Sequence, residues 1–269
     1  MKKEELKEMR NILITGSSSG MGKALRDYFT ANGDNVLGIS LSGDDYNCDV
    51  SDAEEMKKVF EQIKNKISTV DILINCAGFG IYGAIELIDN EKVQKQYDVN
   101  VMGTVNAIQN TLPIMSEEGK IINFSSICAL FPIPFRSYYC STKAAVSMLS
   151  DCLRMELSKT KIQVTAICPG EIKTNFTKNR VNTYETNEKY GDAPRYSIEK
   201  ISTREDKRMP IEKATKILVK IIEKKKLKPQ YLMDGKSKFL NAMSKLAPKS
   251  LLLKILKKMF YIEKPIKTK

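Results

Sequence analysis

The sequence predicts an α/β fold in which helices cover both faces of a doubly wound parallel sheet. Its 269 residues alternate short apolar stretches with longer amphipathic ones. Most of the short stretches show no alternation of polar and apolar residues, which is typical of strands buried on both faces. A chain of this length can bury a full core as one domain. We therefore expect a single domain, 1–269, with a core at 10–233 and a basic helical extension at 234–269.

The expected elements follow one another along the chain. Short apolar runs predict strands at Asn11–Thr15, Asn35–Ile39, Val70–Asn75, Lys120–Ser125 and Lys161–Cys168. Helical periodicity predicts helices at Gly22–Ala31, Ala53–Lys66, Glu91–Met115, Ser141–Ser158 and Ile211–Lys226. Two further apolar stripes at helical spacing, one on each side of Pro248, predict two helices in the extension.

Composition excludes several classes of chemistry. The chain contains no histidine, which removes Ser-His-Asp and Cys-His nucleophilic sites and most zinc sites, so no metal is expected. Its six cysteines form no Cys-x-x-Cys pair and are expected to be reduced core thiols. The first ten residues are too charged for a signal peptide, and no apolar run is long enough to span a bilayer. A cytoplasmic location is therefore expected.

A glycine-rich turn separates the first strand from the first helix. In Thr15-Gly-Ser-Ser-Ser-Gly-Met-Gly22 the glycines stand at positions 16, 20 and 22. Glycine lets the backbone turn tightly and lets its N–H groups approach a pyrophosphate at a helix N-terminus, where larger side chains would collide. The turn therefore predicts a dinucleotide site, although a purely structural Gly/Ser turn has the same composition.

A tyrosine and a lysine four residues apart predict a proton-transfer site. Tyr139 and Lys143 fall on one face of a helix, within reach of each other. A free phenol has a pKa of about 10, and a neighbouring cation favours the phenolate and lowers that pKa. Ser126 follows an apolar strand, at the sheet edge where open α/β folds bind their ligands. Taken alone, the pair is weak evidence, because a surface tyrosine beside a solvated lysine on a helix is the commoner arrangement.

Together these motifs resemble those of the short-chain dehydrogenase/reductases in their single-domain form. Thr15–Gly22 is similar to the family's cofactor loop, and Asn75-Cys-Ala-Gly78 to its Asn-Asn-Ala-Gly motif, with cysteine in the second position. Pro169-Gly170, followed by Thr174, resembles the segment beside the nicotinamide. The match runs from about residue 10 to about residue 233 and implies a Rossmann-type fold.

The resemblance also implies a hydride transfer between a nicotinamide and a ketone or secondary alcohol. Ser126 precedes Tyr139 by 13 residues, the family's usual separation. Tyr139 would then be the acid or base, Lys143 would lower its pKa and hold the ribose, and Ser126 would bind the substrate oxygen. Asn100, at the family's fourth catalytic position, would hold a water that connects Lys143 to solvent.

The resemblance implies cofactor contacts in each of the motifs named above and at the end of the second strand. They are Gly16, Ser18, Ser19, Gly20, Met21, Gly22, Ser40, Leu41, Asp49, Val50, Asn75, Ala77, Gly78, Tyr139, Lys143, Pro169, Gly170, Ile172 and Thr174. The expected substrate contacts are Ser126, Ile127, Phe131, Phe135, Tyr139 and Phe176. The polar segment 174–209 resembles the family's mobile lid.

The end of the second strand favours NADP over NAD. An acid there would bind the adenosine ribose of NAD and repel the extra phosphate of NADP, but the position is Ser40. The arginine that NADP-dependent members often carry next to it is Leu41 here, which leaves Lys23 as a candidate cation. Asp44 and Asp45 follow in a connection too short for a helix, and their contact with a ribose would support NAD.

The C-terminal segment 224–269, which includes the extension, carries the net charge of the whole chain. Residues 224–269 contain 14 lysines and two acidic residues, while the formal net charge of the protein is +12. We expect its two helices to cover the substrate pocket or to contact a second subunit. The alternative is an amphipathic anchor on anionic lipid. The cluster lacks interleaved aromatic residues, so nucleic-acid binding is not expected.

The family resemblance also suggests the partners. A bulky apolar carbonyl or alcohol, steroid-, retinoid- or acyl-like, is the expected substrate. The helices at 91–115 and 141–158 commonly pair between subunits in this family, which implies a homodimer or homotetramer.

Two other classes of function stay open at this point. They are a non-catalytic dinucleotide-binding sensor or scaffold of the same fold, and a membrane-surface adaptor that acts through the basic extension.

Overall fold

Helices alternate with parallel strands in the computed structural model, which describes residues 8–177, 180–202 and 208–263. The strands are β1 Asn11–Thr15, β2 Asn35–Ser40, β3 Tyr46–Asn47, β4 Val70–Asn75, β5 Ile81–Tyr82, β6 Met115–Phe124, β7 Gln163–Cys168, β8 Val181–Asn182 and β9 Gln230–Leu232. The α-helices are α1 Gly20–Ala31, α2 Ala53–Lys64, α3 Asn90–Tyr97, α4 Gly103–Thr111, α5 Ser137–Glu156, α6 Ala193–Ser202, α7 Ile211–Ile222, α8 Gly235–Leu246 and α9 Lys249–Phe260.

Seven of these strands form one sheet in the order β3-β2-β1-β4-β6-β7-β9. Every adjacent pair in this sheet is parallel. The strand order reverses beside β1, because the chain leaves β3 and returns on the other side of β1 as β4. Loops at the carboxyl ends of β1 and β4 therefore diverge and open a crevice for ligands. The predicted doubly wound, Rossmann-type sheet is confirmed.

Both faces of the sheet are apolar, which explains why its strands show no alternation in the sequence. On one face Ile12 and Ile14 of β1 pack with Phe29 of α1 and with α7. On the other face Leu13 packs with Phe60 of α2 and with α4. Adjacent residues of one strand thus enter two different cores, and each position must be apolar.

The segment predicted as one helix over Glu91–Met115 is divided in the structure. Helix α3 runs into a π-helical turn at Asp98–Met102, and α4 follows it. Pro113 then stops the regular helix, because it lacks the N–H group that would bond to the preceding turn. A 3-10 turn covers Leu112–Ile114, and β6 begins at Met115 rather than at the predicted Lys120.

Two other differences concern short or displaced elements. Helix α5 begins at Ser137 instead of Ser141, which places Tyr139 inside the helix. Strand β9 was not predicted because its three residues carry too little pattern. Helix α6 lies in the polar segment that the sequence predicts to be a lid.

The extension, described up to residue 263, forms the two predicted helices on either side of Pro248. Leu252 and Leu256 of α9 are buried against Phe131, next to the crevice. Other apolar side chains of the same two helices face outward, including Phe239 at 68% exposure and Leu246 at 83%. Among the described residues, every helix is too short or too polar to cross a lipid bilayer.

Candidate active site

Two glycines of the turn after β1 occupy positions where no side chain fits. Gly16 has a φ of +71°, and a Cβ there would lie 2.8 Å from the backbone of Ala77. A Cβ on Gly22 would collide with the carbonyl oxygen of Gly16. The turn therefore packs directly on the segment after β4 and directs the N-terminus of α1 into the crevice.

The N-terminus of α1 has the properties of an anion site. Its N-cap residue, Ser19, has an extended backbone and makes no side-chain capping hydrogen bond, and the first turn contains no acidic residue. Unpaired N–H groups and the positive end of the helix dipole favour a bound anion. The backbone of Ser19–Gly22 lines the crevice, where a pyrophosphate would meet it.

Ser126, Tyr139 and Lys143 converge at the carboxyl end of β6. Ser126 caps a 3-10 turn by accepting a hydrogen bond from the Cys128 N–H at 3.1 Å, and its hydroxyl lies close enough to the Tyr139 phenol to affect the pKa of that group. Lys143 lies one helical turn after Tyr139, with its Nζ 5.9 Å from the centre of that ring. The Lys143 ammonium donates to the carbonyl oxygen of Phe124 at 2.8 Å.

Burial dominates the ionisation of this group. It lowers the pKa of Lys143 to about 8. It raises the pKa of Tyr139 well above 10, with further contributions from Cys128 and Tyr82, although the nearby Ser126 hydroxyl opposes the rise. The predicted lowering of the Tyr139 pKa by Lys143 is therefore absent. The desolvated phenol strongly prefers its neutral form, and the ammonium is directed to a carbonyl.

Asn100 lies at the centre of the π-helical turn and ties three segments together. Its Oδ1 accepts from the Phe79 N–H at 2.9 Å, while its Nδ2 donates to the Phe79 carbonyl at 2.9 Å and to Thr142 at 3.1 Å. A Cβ on Gly78 would lie 2.8 Å from Asn100 Oδ1 and 3.4 Å from Lys143 Nζ. Gly78 thus leaves the space through which Asn100 and Lys143 face each other.

One cavity of about 860 Å³ joins the glycine turn to Tyr139. Among its walls are most of the residues predicted as cofactor or substrate contacts. These are Gly16, Ser19, Gly20, Met21, Gly22, Ala77, Gly78, Ser126, Ile127, Phe131, Tyr139, Lys143, Pro169, Gly170, Ile172, Thr174 and Phe176. The structure therefore brings the predicted dinucleotide site and the predicted proton-transfer site into one space.

The remaining predicted residues do not line this cavity, namely Ser18, Ser40, Leu41, Asp49, Val50, Asn75, Asn100 and Phe135. Leu41 is 72% exposed, and Val50 is buried in the sheet core. Asp49 accepts from Lys95 at 2.5 Å. Asn75 donates to Asn123 at 2.9 Å and so connects two strands.

Phe135 is a correction to the predicted substrate wall. Its φ is 62°, and its ring stacks on Tyr261 with the centroids 5.4 Å apart. It also meets Tyr190 edge to face. The left-handed backbone turns the side chain away from the cavity, into a separate aromatic cluster.

The corner after β2 contains Asp44, one of the two acidic residues that the sequence left open as a ribose contact, and a cation, Arg26, that the sequence did not indicate. The Asp44 carboxylate is fully buried, accepts from the Ser40 hydroxyl at 2.8 Å and is bonded by Ser17 and Arg26. Arg26 also pairs with Asp45 at 2.8 Å. Lys23, the predicted cation, instead pairs with an exposed aspartate of its own helix. The short connection after Ser40 folds back and places the Asp44 carboxylate beside the Ser40 hydroxyl.

Comparison with known proteins identifies the family. The family model described as short chain dehydrogenase matches residues 10–185. The chain belongs to the short-chain dehydrogenase/reductase family. It is therefore an oxidoreductase with a nucleotide-binding, Rossmann-type fold.

Individual relatives agree with this assignment. The chain is 35% identical over 225 residues to the 3-ketodihydrosphingosine reductase of Bacteroides thetaiotaomicron, covering 80% of this chain and 84% of that protein. It is 29% identical over 272 residues to the NADPH-dependent 3-dehydrocapnine reductase of Ornithobacterium rhinotracheale, covering 92% and 96%. A short-chain dehydrogenase structure from Streptomyces avermitilis has the same fold, with a TM-score of 0.79, 24% identity and coverage of 94% and 98%.

The cavity fits the nicotinamide dinucleotide that this family uses. Glycine at positions 16 and 22 leaves the backbone of the turn free of side chains, and the uncapped start of α1 offers N–H groups to a pyrophosphate. The same cavity continues past Gly78 to Lys143 and Tyr139, where a nicotinamide ribose would lie. These residues have the shapes and donors that the cofactor requires.

Proposed function

We propose that this protein transfers a hydride between NADP(H) and a ketone or secondary alcohol carried by a bulky, largely apolar substrate. The observation that carries the proposal is the single cavity shared by the glycine turn and by Ser126, Tyr139 and Lys143. A sensor or scaffold would need the turn but not the three polar side chains. Two relatives are named as reductases, which supports the direction of reduction.

In this proposal a bound nicotinamide supplies the hydride, and the chain handles the proton. Tyr139 donates its proton to the carbonyl oxygen, and its raised pKa keeps it protonated at neutral pH. Ser126 donates a hydrogen bond to the same oxygen as negative charge develops there. Lys143 holds the ribose hydroxyls, and Asn100 fixes both the Phe79 backbone and Thr142 on the helix that carries Tyr139 and Lys143.

The proposed preference for NADP(H) depends on Arg26. The Ser40 hydroxyl accepts from the Ser18 N–H at 3.1 Å, so both groups stand at the corner where the adenosine ribose would lie. Asp44 alone would repel the extra phosphate, but Arg26 pairs with it and supplies a compensating cation. The name of the Ornithobacterium relative, which is NADPH-dependent, supports the same choice.

An apolar substrate is proposed because of the opposite wall of the cavity. Phe131 and Phe176 line it from the core of the fold, while Leu240 and Phe260 line it from α8 and α9. Four large apolar side chains would bury a long or polycyclic hydrocarbon skeleton. The relative named 3-ketodihydrosphingosine reductase is consistent with a ketone of this kind.

A carbonyl screen tests the proposed function. Purified protein is mixed with NADPH or NADH and with ketones of increasing apolar size, and the loss of nicotinamide absorbance is followed. We expect turnover with bulky ketones and a faster rate with NADPH. Cofactor binding without turnover on any ketone would favour the sensor or scaffold, and faster turnover with NADH would overturn the cofactor assignment.

Contact with an anionic membrane surface is a second proposed function, favoured by the outer face of α8 and α9. Phe239, Met243 and Leu246 of α8 are between 48% and 83% exposed, and Leu251 and Ile255 of α9 are more than 40% exposed. Lysines surround these side chains, which is the composition of interfacial helices. Sedimentation with anionic vesicles, reversed by salt, would support this function, while sedimentation that is equal with neutral vesicles or absent would exclude it.

We also propose a homodimer or homotetramer formed through α5. Three large apolar residues of this helix are exposed, Met148 at 65%, Leu149 at 37% and Met155 at 67%. Met102, in the neighbouring π-helical turn, is 46% exposed. A contiguous apolar surface of this kind is typical of a subunit interface.

A further inference from the structure

A buried arginine lines the cavity without a carboxylate partner among the residues that the structure describes. Arg136 is 6% exposed and lies on the cavity wall near Tyr139. Its Nε and Nη2 atoms are buried and make no hydrogen bond within the described part of the chain. The Cys128 sulfur lies beside the guanidinium, and a hydrogen bond from Cys140 together with the charge of Arg136 lowers the pKa of that thiol to about 6. Cys128 therefore offsets at most one of the positive charges described here, and Glu171 attracts Arg136 only from a distance. Among the described residues, no carboxylate oxygen lies within 4.0 Å of a guanidinium nitrogen of Arg136.

A second arginine stands beside the first. Arg180, 7% exposed, also lines the cavity and donates its Nε–H to Asn182 at 2.5 Å. The guanidinium carbons of Arg180 and Arg136 lie 4.3 Å and 4.5 Å from the centre of the same ring, that of Tyr82. Burial lowers the pKa of Arg180, and the charge of Arg136 adds to this effect. Two cations therefore share one aromatic side chain.

Contact with the Tyr82 ring does not account for this arrangement. A cation over an aromatic face recovers only a small part of the hydration that a buried guanidinium loses. The two like charges also repel each other, and the cost rises further as their surroundings become less polar. Such a pair persists where a ligand supplies the missing negative charge, and a planar guanidinium matches carboxylate and phosphate oxygens in particular.

The position of the pair defines where that negative charge lies on the substrate. The rings of Tyr82 and Tyr139 are 6.3 Å apart, so one aromatic ring separates the two guanidinium groups from the proposed proton donor. We infer that Arg136 and Arg180 bind an anionic group, a carboxylate, sulfonate or phosphate ester, that the substrate carries within a few bonds of its carbonyl.

The substrate is thus an anionic amphiphile rather than a purely apolar ketone. Its charge lies beside the reacting carbon, and its hydrocarbon part lies against Phe131 and Phe260. This inference rests on the proposed function, because it places the anion relative to Tyr139.

The kinetic test compares long-chain ketones that differ only in the group next to the carbonyl: a carboxylate, a sulfonate, a phosphate ester, a methyl ester or an ammonium. We expect kcat/KM for at least one anionic ketone to exceed that of the methyl ester by about tenfold or more, mainly through KM. R180Q and R136Q should each remove most of that preference, and R136K should retain part of it. R195Q, an exposed arginine on α6, is the matched control and should change nothing.

A binding test without turnover separates the inference from the proposed function. Decanoate, decyl phosphate and decanol are titrated into the wild-type protein and R180Q with NADP present, by calorimetry. Tighter binding of the anions than of decanol, lost in R180Q, would support the anion site even if no ketone were reduced. Reduction of ketones irrespective of their charge, with equal binding of decanoate and decanol, would overturn the inference and leave the proposed function standing. Inorganic phosphate that bound as tightly as decyl phosphate would also overturn it.

Discussion

Replacing Lys143 by methionine should stabilise the folded chain at neutral pH while it abolishes turnover. Lys143 is 5% exposed, and burial lowers its pKa from 10.5 to about 8. This difference corresponds to about 3 kcal/mol of destabilisation while the ammonium is charged. Methionine removes the charge but leaves the Phe124 carbonyl without its 2.8 Å hydrogen bond, at a cost of about 1 kcal/mol. We expect a net gain of about 2 kcal/mol in the free energy of unfolding at pH 7.

The size of this stabilisation should change with pH in a defined way. Below pH 8, Lys143 is protonated in both the folded and the unfolded chain, so the full cost of the buried charge is present. Between pH 8 and 10.5 the folded chain releases the proton while the unfolded chain keeps it, and the wild-type protein recovers stability. The advantage of Lys143→Met should therefore shrink steadily over this range.

Urea denaturation followed by circular dichroism at pH 7 and pH 10 measures this difference. Lys58→Met, which removes an exposed lysine of α2, is the matched control and should have nearly the same stability as the wild type at both pH values. A loss of stability in Lys143→Met at pH 7, or a gain of equal size at pH 10, would refute the reasoning that burial alone controls this ammonium.

Three other changes test the cofactor corner, the glycine turn and the subunit contact. Asp44→Asn should strengthen NADPH binding relative to NADH, and Arg26→Gln should weaken NADPH binding by about tenfold, with Lys23→Gln as an unaffected control. Nicotinamide fluorescence titration measures these affinities, and equal effects on both cofactors would contradict the proposed NADP(H) preference. Gly22→Ala should lower the melting temperature and prevent cofactor binding, because the added methyl collides with backbone; normal titration of this variant would contradict the expected close packing. Met148→Glu should reduce the mass measured by light scattering to that of a monomer, and an unchanged mass would move the interface away from α5.

The parts of the site that the sequence predicts are those defined by local chemistry. The glycine turn needs only backbone geometry and its own three glycines, and Tyr139 and Lys143 need only one turn of helix. Strand β1 was located to the residue because its apolar run ends at that turn. Such features depend on neighbours within a few positions, so a single sequence contains them.

The features that the sequence did not reveal depend on contacts between distant segments. Asp44 reaches Ser40 because a loop folds back, and Arg26 meets it from another element. The π-helical turn at Asp98–Met102 coincides with the bonds between Asn100 and Phe79, which helical periodicity does not encode.

The arginines of the cavity are a further case. Arg136 precedes Tyr139 by three residues, yet nothing in that spacing indicates a buried cation. Its partner Arg180 is 44 residues away, in a segment that the sequence marks only as polar. The fold brings the two together at the ring of Tyr82, on the wall of one cavity.

The central claim, that Tyr139 transfers the proton in a nicotinamide-dependent reduction, is tested most directly by Tyr139→Phe. The variant keeps the ring, whose centroid lies 5.7 Å from that of Phe176 in the wild-type structure, and loses only the hydroxyl. Initial rates of NADPH oxidation are measured with the best ketone found, beside a fluorescence titration of NADPH. The account predicts a rate reduced by at least about a hundredfold, with NADPH affinity within a few-fold of the wild type. A variant that retained more than a tenth of the wild-type rate would contradict it.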